Sequence, residues 1–318
     1  MKVRKWSSLV LVVLFMVAFA VTGTALKAAN AAGSSPLIVD AGWMSAHKTA
    51  VIVDARSSKA YLHGHIPGAI SIPVNDLQTR PDAIMFPVAR EEKILGEKGL
   101  RINSDVVLVG AGREMAYLEF WMLDCLGMPN IHVLNGGMEQ WKGQLSTKET
   151  TLPATVFKAR PDLAKYATTG FVLAHLHKPG IVLLDVRSPQ EYAGIDVRAV
   201  RGGHIPGAVN MNYTHNYVGD TTLLKPISEL KKIYAKLDPR KQYVTYCQTG
   251  TRASNTYFVL RELGFKHVRV YDASWIVWGS DEKLPVDDVS YFNFVPLLNT
   301  VKKLQKKVDA LEKAGAGK

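Results

Sequence analysis

Cysteine is scarce in this sequence, which has only Cys125 and Cys247 among its 318 residues. Neither lies near the N-terminus, so a lipoprotein anchor on an N-terminal cysteine is excluded. Zinc-finger spacing and RNP-like motifs are also lacking, which argues against nucleic acid as a partner despite the net charge of +11. The basic excess instead indicates anionic small substrates or anionic surfaces.

Long hydrophobic runs are equally rare, and the one at the N-terminus is short. A basic start precedes an apolar run over residues 9–21, and small residues follow around Ala25 and Ala31. This order is typical of a secretory signal peptide, and the run is short for a bilayer core of ~30 Å. We therefore expect residues 1–31 to be removed and the protein to be exported, periplasmic or secreted; retention as a membrane anchor is the alternative.

The remaining sequence contains the same pattern twice. An apolar run ending in Asp-x-Arg occupies residues 51–56 and again 182–187, and Gly-His-Ile-Pro-Gly-Ala follows at 64–69 and 203–208. The second copy carries eight extra residues around 194–202. In both copies apolar strand-like runs alternate with helical segments, which predicts an α/β fold with parallel sheets covered by helices.

The repeat also predicts the domain organisation. A segment with prolines, threonines and lysines separates the two copies and is interpreted as a linker. The predicted parts are a signal peptide at 1–31, a first domain at 36–145, the linker at 146–164, a second domain at 165–288 and a basic amphipathic tail at 289–318.

Features present in both copies can be explained by folding alone. The histidines of the two Gly-His-Ile-Pro-Gly-Ala elements are predicted to be structural, and Asp54 and Asp185 are predicted to fix turns. Cys247 has no such counterpart, because Gly110 stands at the matching position. The second domain alone therefore carries a candidate nucleophile.

The surroundings of Cys247 favour a reactive thiolate. Cys247 follows a predicted strand, and a helix begins about five residues later, just after Arg252. Cations and the N–H groups at the start of a helix stabilise a thiolate, a persulfide or an incoming oxyanion. Gly250 allows the loop to curl. The predicted active-site loop consists of Gln248, Thr249, Gly250 and Thr251 between these two catalytic candidates.

Cys125 lies in a different setting. It belongs to a predicted helix over 118–125 that Gly127 terminates. A cysteine there is expected to act as a small buried apolar side chain. A disulfide between Cys125 and Cys247 is the less favoured alternative.

At this point the residues resemble a known family. The duplicated elements, the loop Cys-Gln-Thr-Gly-Thr-Arg at 247–252 and the segment Tyr-Asp-Ala-Ser-Trp-Ile-Val-Trp-Gly at 271–279 closely resemble the two-domain rhodaneses over residues 36–285. The resemblance implies two rhodanese-like domains, each a parallel sheet flanked by helices on both faces. It also implies sulfur transfer from an anionic donor such as thiosulfate, through a persulfide on Cys247, to cyanide or a thiol, without a metal or another cofactor.

The same resemblance assigns further site residues. It places Arg187 beside the pocket as a ligand of the anionic donor, with Arg198 or Arg201 assisting, and Trp275 in the pocket wall. The loop lacks the basic pair of the vertebrate thiosulfate enzymes and the Gly-Ser pair of the mercaptopyruvate enzymes. Whether the donor is thiosulfate or 3-mercaptopyruvate therefore stays open.

Two other functions share some of these features. A cysteine-dependent phosphatase or arsenate reductase also uses a strand, an anion-binding loop and an arginine, but with a longer spacing than the four residues between Cys247 and Arg252. The retention of Cys247, Gly250 and Arg252 together argues against a non-turnover binding module, but a sulfur carrier would share every motif of the second domain. Turnover with thiosulfate and cyanide separates the carrier from the enzyme.

The tail fits neither domain. Its apolar residues recur at alternating spacings of four and three, with lysines between them, which is a short heptad pattern. The tail is predicted to pair with another subunit, to dock on the protein's own surface, to lie on an anionic membrane or to be a solvated end. The apolar positions are Leu297, Val301, Leu304, Val308 and Leu311.

Overall fold

The structure is a computed structural model that describes residues 36–78, 87–291 and 294–315. The predicted signal peptide lies outside the described residues. Within these ranges, no helix is both long and apolar enough to cross a membrane.

The first half of the chain alternates strands and helices. Its strands are β1 (Ile38–Val39), β2 (Val51–Asp54), β3 (Ile70–Ser71), β4 (Val106–Val109) and β5 (Ile131–Leu134). Its helices are α1 (Ala41–Ala46), α2 (Ser58–His63), a 3-10 turn at Val74–Leu77, α3 (Val88–Glu97), α4 (Met115–Cys125) and α5 (Gly137–Gln140). Parallel pairing places the strands in the order β1-β5-β4-β2-β3.

The second half repeats this arrangement with additions. Its strands are β6 (Tyr166–Ala167), β7 (Ile181–Asp185), β8 (Arg201–His204), β9 (Val209–Asn210), β10 (Gln242–Tyr246), β11 (Val268–Tyr271) and β12 (Asp287–Tyr291). Its helices are α6 (Thr169–Ala174), α7 (Pro189–Tyr192), α8 (Ile227–Ile233), α9 (Thr251–Glu262), α10 (Ser274–Trp278) and α11 (Phe294–Gly315), with 3-10 turns at Leu163–Lys165 and Tyr213–Asn216. The parallel sheet has the order β6-β11-β10-β7-β9.

The two sheets have the same strand order when the repeats are aligned, with β4 and β10 at their centres. All four residues of β4 are buried, and all are apolar. A strand covered on both faces needs such a continuous apolar run, because neither face meets water. The predicted α/β fold with two parallel sheets flanked by helices is confirmed.

A small antiparallel ribbon distinguishes the second half. The extra residues around 194–202 lead into β8, which pairs with β12. Because β12 continues to Tyr291, this ribbon extends past residue 289, where the tail is predicted to begin. The tail helix α11 starts at Phe294.

The segment predicted as a linker, 146–164, runs along the first domain. Ser146 and His65 exchange backbone hydrogen bonds, and the amides of Thr155 and Arg160 donate to the carbonyls of Gly96 and Leu126. Most of the segment has neither helix nor strand. Backbone N–H and C=O groups of this segment that have no partner in a sheet form hydrogen bonds with the first domain instead.

Helices α4 and α9, one from each repeat, pack against each other and join the two cores. The rings of Tyr117 and Phe120 lie 5.0 and 4.8 Å from the ring of Phe258. Nearly every residue of α4 is buried, including Cys125 at its end. Burial raises the pKa of the Cys125 thiol, and both cysteines are free thiols.

A buried carboxylate ties these helices to the start of the second domain. Asp124 accepts hydrogen bonds from Lys165 Nζ at 2.6 Å and from the Tyr257 hydroxyl at 2.6 Å. Arg261 also donates to it. One side chain of α4 thus binds two groups of α9 and the residue that precedes β6.

We expect Asp124→Asn to lower the free energy of unfolding by about 2–4 kcal/mol, because two partly buried cations lose their counter-charge. Urea unfolding at neutral pH measures the loss. Asp162→Asn is the matched control, since Asp162 is half-exposed and lies 3.6 Å from the same Lys165. The decrease in the free energy of unfolding of Asp162→Asn is expected to stay below about 1 kcal/mol. Equal losses in the two variants would contradict the assigned role of Asp124.

Candidate active site

Cys247 lies in the turn between β10 and α9, at the carboxyl end of the central strand. Its side chain is 1% exposed. The Cys247 amide donates to Ser274 Oγ at 3.1 Å, and its carbonyl accepts from the Trp275 amide at 3.0 Å. Helix α10 therefore fixes the backbone of the nucleophile from one side.

Gly250 determines the shape of the loop. Its φ is +83°, and a Cβ at this position would lie 2.6 Å from a carboxylate oxygen of Asp272. Neither the backbone conformation nor the space admits another side chain. The chain can therefore turn directly from β10 into α9.

The start of α9 presents its backbone N–H groups to this turn. The first helical hydrogen bond runs from the Ser254 amide to the Gly250 carbonyl at 3.0 Å. Amides that precede it have no acceptor within the helix, and such groups form a cradle for anions. Gln248, Thr249 and Gly250 connect Cys247 to this helix, and Thr251 is its first residue.

Arg252 is held by a carboxylate that the sequence analysis did not single out. It donates to both oxygens of Glu191 at 2.7 and 2.8 Å. Glu191 is itself fixed by a capping box with Ser188 at the start of α7. Burial opposes ionisation of Glu191, but the hydrogen bonds and charge of Arg252 outweigh it and lower the pKa of Glu191 to about 2. The Ser-x-x-Glu pattern at 188–191 is a visible capping signal, although it does not reveal the arginine partner.

The first domain also reaches this region. The Arg252 guanidinium lies 5.9 Å from the centre of the Tyr213 ring. The Tyr213 hydroxyl donates to a carboxylate oxygen of Glu114, from the first domain, at 2.9 Å. Burial raises the pKa of Tyr213 to about 12, so its proton stays in this bond near neutral pH. The sequence analysis did not identify Glu114 as a residue near the site, because no local pattern connects it with Tyr213, about a hundred positions away.

Arg187 lies under the site rather than in an open pocket. It is buried, donates to both oxygens of Asp185, and bonds the Gly203 carbonyl at 2.7 Å. Its guanidinium stacks 4.4 Å from the buried Trp275 ring. The first domain holds an equivalent arginine in the same way, without a nucleophile. These contacts hold Arg187 within the fold, and its role in donor binding stays a prediction.

Arg201 is also held inside the fold, and its assisting role in donor binding stays a prediction. It is buried and donates to backbone carbonyls of Trp278, Gly279 and Leu284 at 3.1, 3.3 and 3.0 Å. These bonds hold the turn after α10, because that turn has carbonyls without helical partners. The Trp275 indole in turn donates to the Arg201 carbonyl at 3.1 Å. Arg201 and the buried Trp275 are therefore linked directly, and the place of Trp275 in the pocket wall stays a prediction.

Arg198 is the accessible cation of the predicted set. Its side chain is 51% exposed and lies 3.7 Å from Glu191. Asp196 accepts two hydrogen bonds from it. The Gln248 side chain donates to the Arg198 carbonyl at 2.8 Å. The extra residues of the second repeat therefore contact the active-site loop directly.

The lowered pKa of Glu191 predicts a stability contribution with a defined pH range. A carboxyl whose pKa is depressed from 4.5 to about 2 stabilises the fold above pH 4.5 and loses this effect as the pH falls towards 2. We expect Glu191→Gln to lower the free energy of unfolding by about 2–3 kcal/mol at pH 7, with a difference from the native chain that vanishes near pH 2.

Urea titrations at several pH values measure this difference. Glu282→Gln, at an exposed position, serves as the control and is expected to change the free energy of unfolding by less than about 0.5 kcal/mol. A pH-independent loss in Glu191→Gln would show that packing, rather than the charge pair, sets its contribution.

Comparisons with known proteins agree with this architecture. A rhodanese-like domain model matches residues 40–144 and 168–281. A thiosulfate sulfurtransferase of Corynebacterium glutamicum is 33% identical over 79% of this chain and 90% of its own. One of Azotobacter vinelandii is 33% identical over 80% of this chain and 98% of its own. An anaerobic ergothioneine biosynthesis enzyme from Chlorobium limicola shares the fold, with 24% identity and a TM-score of 0.72 over 79% of this chain and 70% of its own.

The matches cover both repeats, and the curated relatives align along most of their length. This chain belongs to the rhodanese family of sulfurtransferases and carries two rhodanese-like domains.

Proposed function

We propose that this protein transfers sulfane sulfur from thiosulfate through a persulfide on Cys247 to cyanide or a thiol. The observation that carries the proposal is the position of Cys247 in the turn that leads from β10 into α9, with Arg252 in the first turn of that helix. The first domain has Gly110 at this position, and a Cβ there would lie 2.8 Å from the Ala116 amide. The curated relatives named thiosulfate sulfurtransferase support the choice of donor.

Two displacements at sulfur make up the reaction. The Cys247 thiolate attacks the outer sulfur of thiosulfate, a new S–S bond forms, and sulfite leaves with the electron pair of the broken S–S bond. Cyanide then attacks the outer sulfur of the persulfide, giving thiocyanate and the free thiolate. The amides of α9 hold the anionic sulfur at both stages, and exclusion of water from the buried site strengthens this attraction.

We further propose that the protein acts outside the cytoplasm, on the basis of the predicted signal peptide. A thiol acceptor or reductant must then be available there to discharge the persulfide. Small anions are favoured as donors, because the site is enclosed and its fixed dipoles attract negative charge.

Cys247→Ser is expected to abolish thiocyanate formation from thiosulfate and cyanide, while Cys125→Ser retains most of it. The reason is that only Cys247 lies at the cradle, whereas Cys125 is buried at the end of α4. Mass spectrometry after thiosulfate treatment should find one added sulfur on the Cys247 peptide. Serine at buried Cys125 costs ~1–3 kcal/mol, so unfolding curves must accompany the assay. Equal loss of activity in two folded variants would refute the assignment.

The same assay distinguishes an enzyme from a sulfur carrier. An enzyme forms many thiocyanates per Cys247, whereas a carrier that cyanide cannot discharge stops after loading. Loading without turnover would favour the carrier.

Arg198→Ala is expected to raise KM for thiosulfate roughly three- to tenfold with little change in kcat, because an exposed cation beside the loop attracts the dianion before reaction. The effect should shrink at high salt. Arg240→Ala is the matched control. Like Arg198, Arg240 follows an aspartate by two residues and pairs with it, with a distance of 2.9 Å between the charged groups. Arg240 precedes the amino end of β10, whereas Cys247 follows the carboxyl end. A similar KM change in both variants would indicate a general charge effect.

A further inference from the structure

The C-terminal helix α11 carries an apolar stripe that the rest of the described chain does not cover. Its 22 residues follow β12 almost directly. Val301, Leu304, Val308 and Leu311 are between 45% and 72% exposed. Four such side chains in one row leave a face that water solvates poorly.

The spacing of this stripe is that of a coiled-coil seam. The four residues are separated by three, four and three positions, so the valines occupy the heptad a positions and the leucines occupy the d positions. β-branched residues at a with leucine at d favour parallel two-stranded coils. A helix that lies on a membrane needs a wide apolar face, whereas over residues 301–311 the valines and leucines occupy only a and d.

The charged residues of α11 fit the same heptad register as the apolar stripe. Lys307 falls at a g position and Glu312 at the following e position, five residues later. In a parallel pair, g of one helix faces the next e of its partner, so each Lys307 meets a Glu312 of opposite charge. Lys302, Lys303 and Lys306 occupy the b, c and f positions, which point away from the seam.

We propose that α11 pairs with α11 of a second copy of this chain as a parallel two-stranded coiled coil. The valine and leucine stripe forms the seam, and two symmetry-related pairs of Lys307 with Glu312 set the register. A parallel arrangement places both catalytic domains at the same end of the coil. The proposal does not depend on the reaction at Cys247.

Complementary charge reversal tests both the partner and the register. Lys307→Glu places glutamate opposite glutamate in its own dimer, and Glu312→Lys places lysine opposite lysine. Each variant alone is expected to raise the dimer dissociation constant roughly tenfold. Mixing the two variants creates a heterodimer with attractive pairs on both sides, and should restore the dimer to nearly the native level. Sedimentation velocity of the full chain at several concentrations measures these equilibria.

Two further variants and a vesicle assay complete the test. Leu304→Asp, in the seam, should raise the dissociation constant at least ~100-fold, whereas Lys306→Glu, on the outer face, should change it less than about threefold. Sulfur transfer at saturating thiosulfate should be unchanged in every tail variant, which shows that they fold. A native chain that stays monomeric, or mixed variants that do not recover, would overturn the proposal. Sedimentation of a monomeric chain with phosphatidylserine vesicles would assign α11 to a membrane surface instead.

Discussion

The packing of α4 against α9 is the contact on which the rest of the structure depends. It merges the cores of the two domains, and it fixes the helix whose N-terminus forms the cradle for Cys247. A shift of α9 along its axis would move the backbone amides away from the sulfur. The first domain therefore contributes to the site through α4, although it carries no nucleophile. Asp124 reinforces this contact because it binds groups from both sides of it.

Three arginines of the second domain pair with carboxylates. Arg252 pairs with Glu191, Arg187 with Asp185, and Arg198 with Asp196. The first two pairs are largely buried; such pairs add little net stability, but they hold the cation in one orientation. In the proposed reaction, the backbone amides at the start of α9 hold the incoming anion, and Arg198 is the cation that it meets at the surface. Such an arrangement suits the small anionic donors proposed above, because fixed backbone dipoles, rather than a mobile side chain, stabilise their charge.

The internal repeat shows that one arginine contact serves the fold in both domains. Arg56 and Arg187 each bind the aspartate two residues earlier and a glycine carbonyl of the following turn. The first of these sites has no cysteine, so this geometry serves the fold. Both Asp-x-Arg elements are visible in the sequence, and the same reasoning that made the repeated histidines structural applies to Arg187. The donor-binding role that the resemblance implies for Arg187 stays a prediction.

The sequence alone was sufficient to predict the strand-loop-helix around Cys247, the repeat and the α/β class, because each depends on local spacing: apolar runs, a glycine in a loop and a helix start. Tertiary structure decided which charges meet. Glu191 and Arg252 are about sixty residues apart and Glu114 and Tyr213 about a hundred, and only the folded sheets bring them together. The burial of Arg187 and Arg201 was equally a matter of tertiary packing, since a basic side chain that bonds backbone carbonyls in the interior has the same local sequence as one that faces solvent.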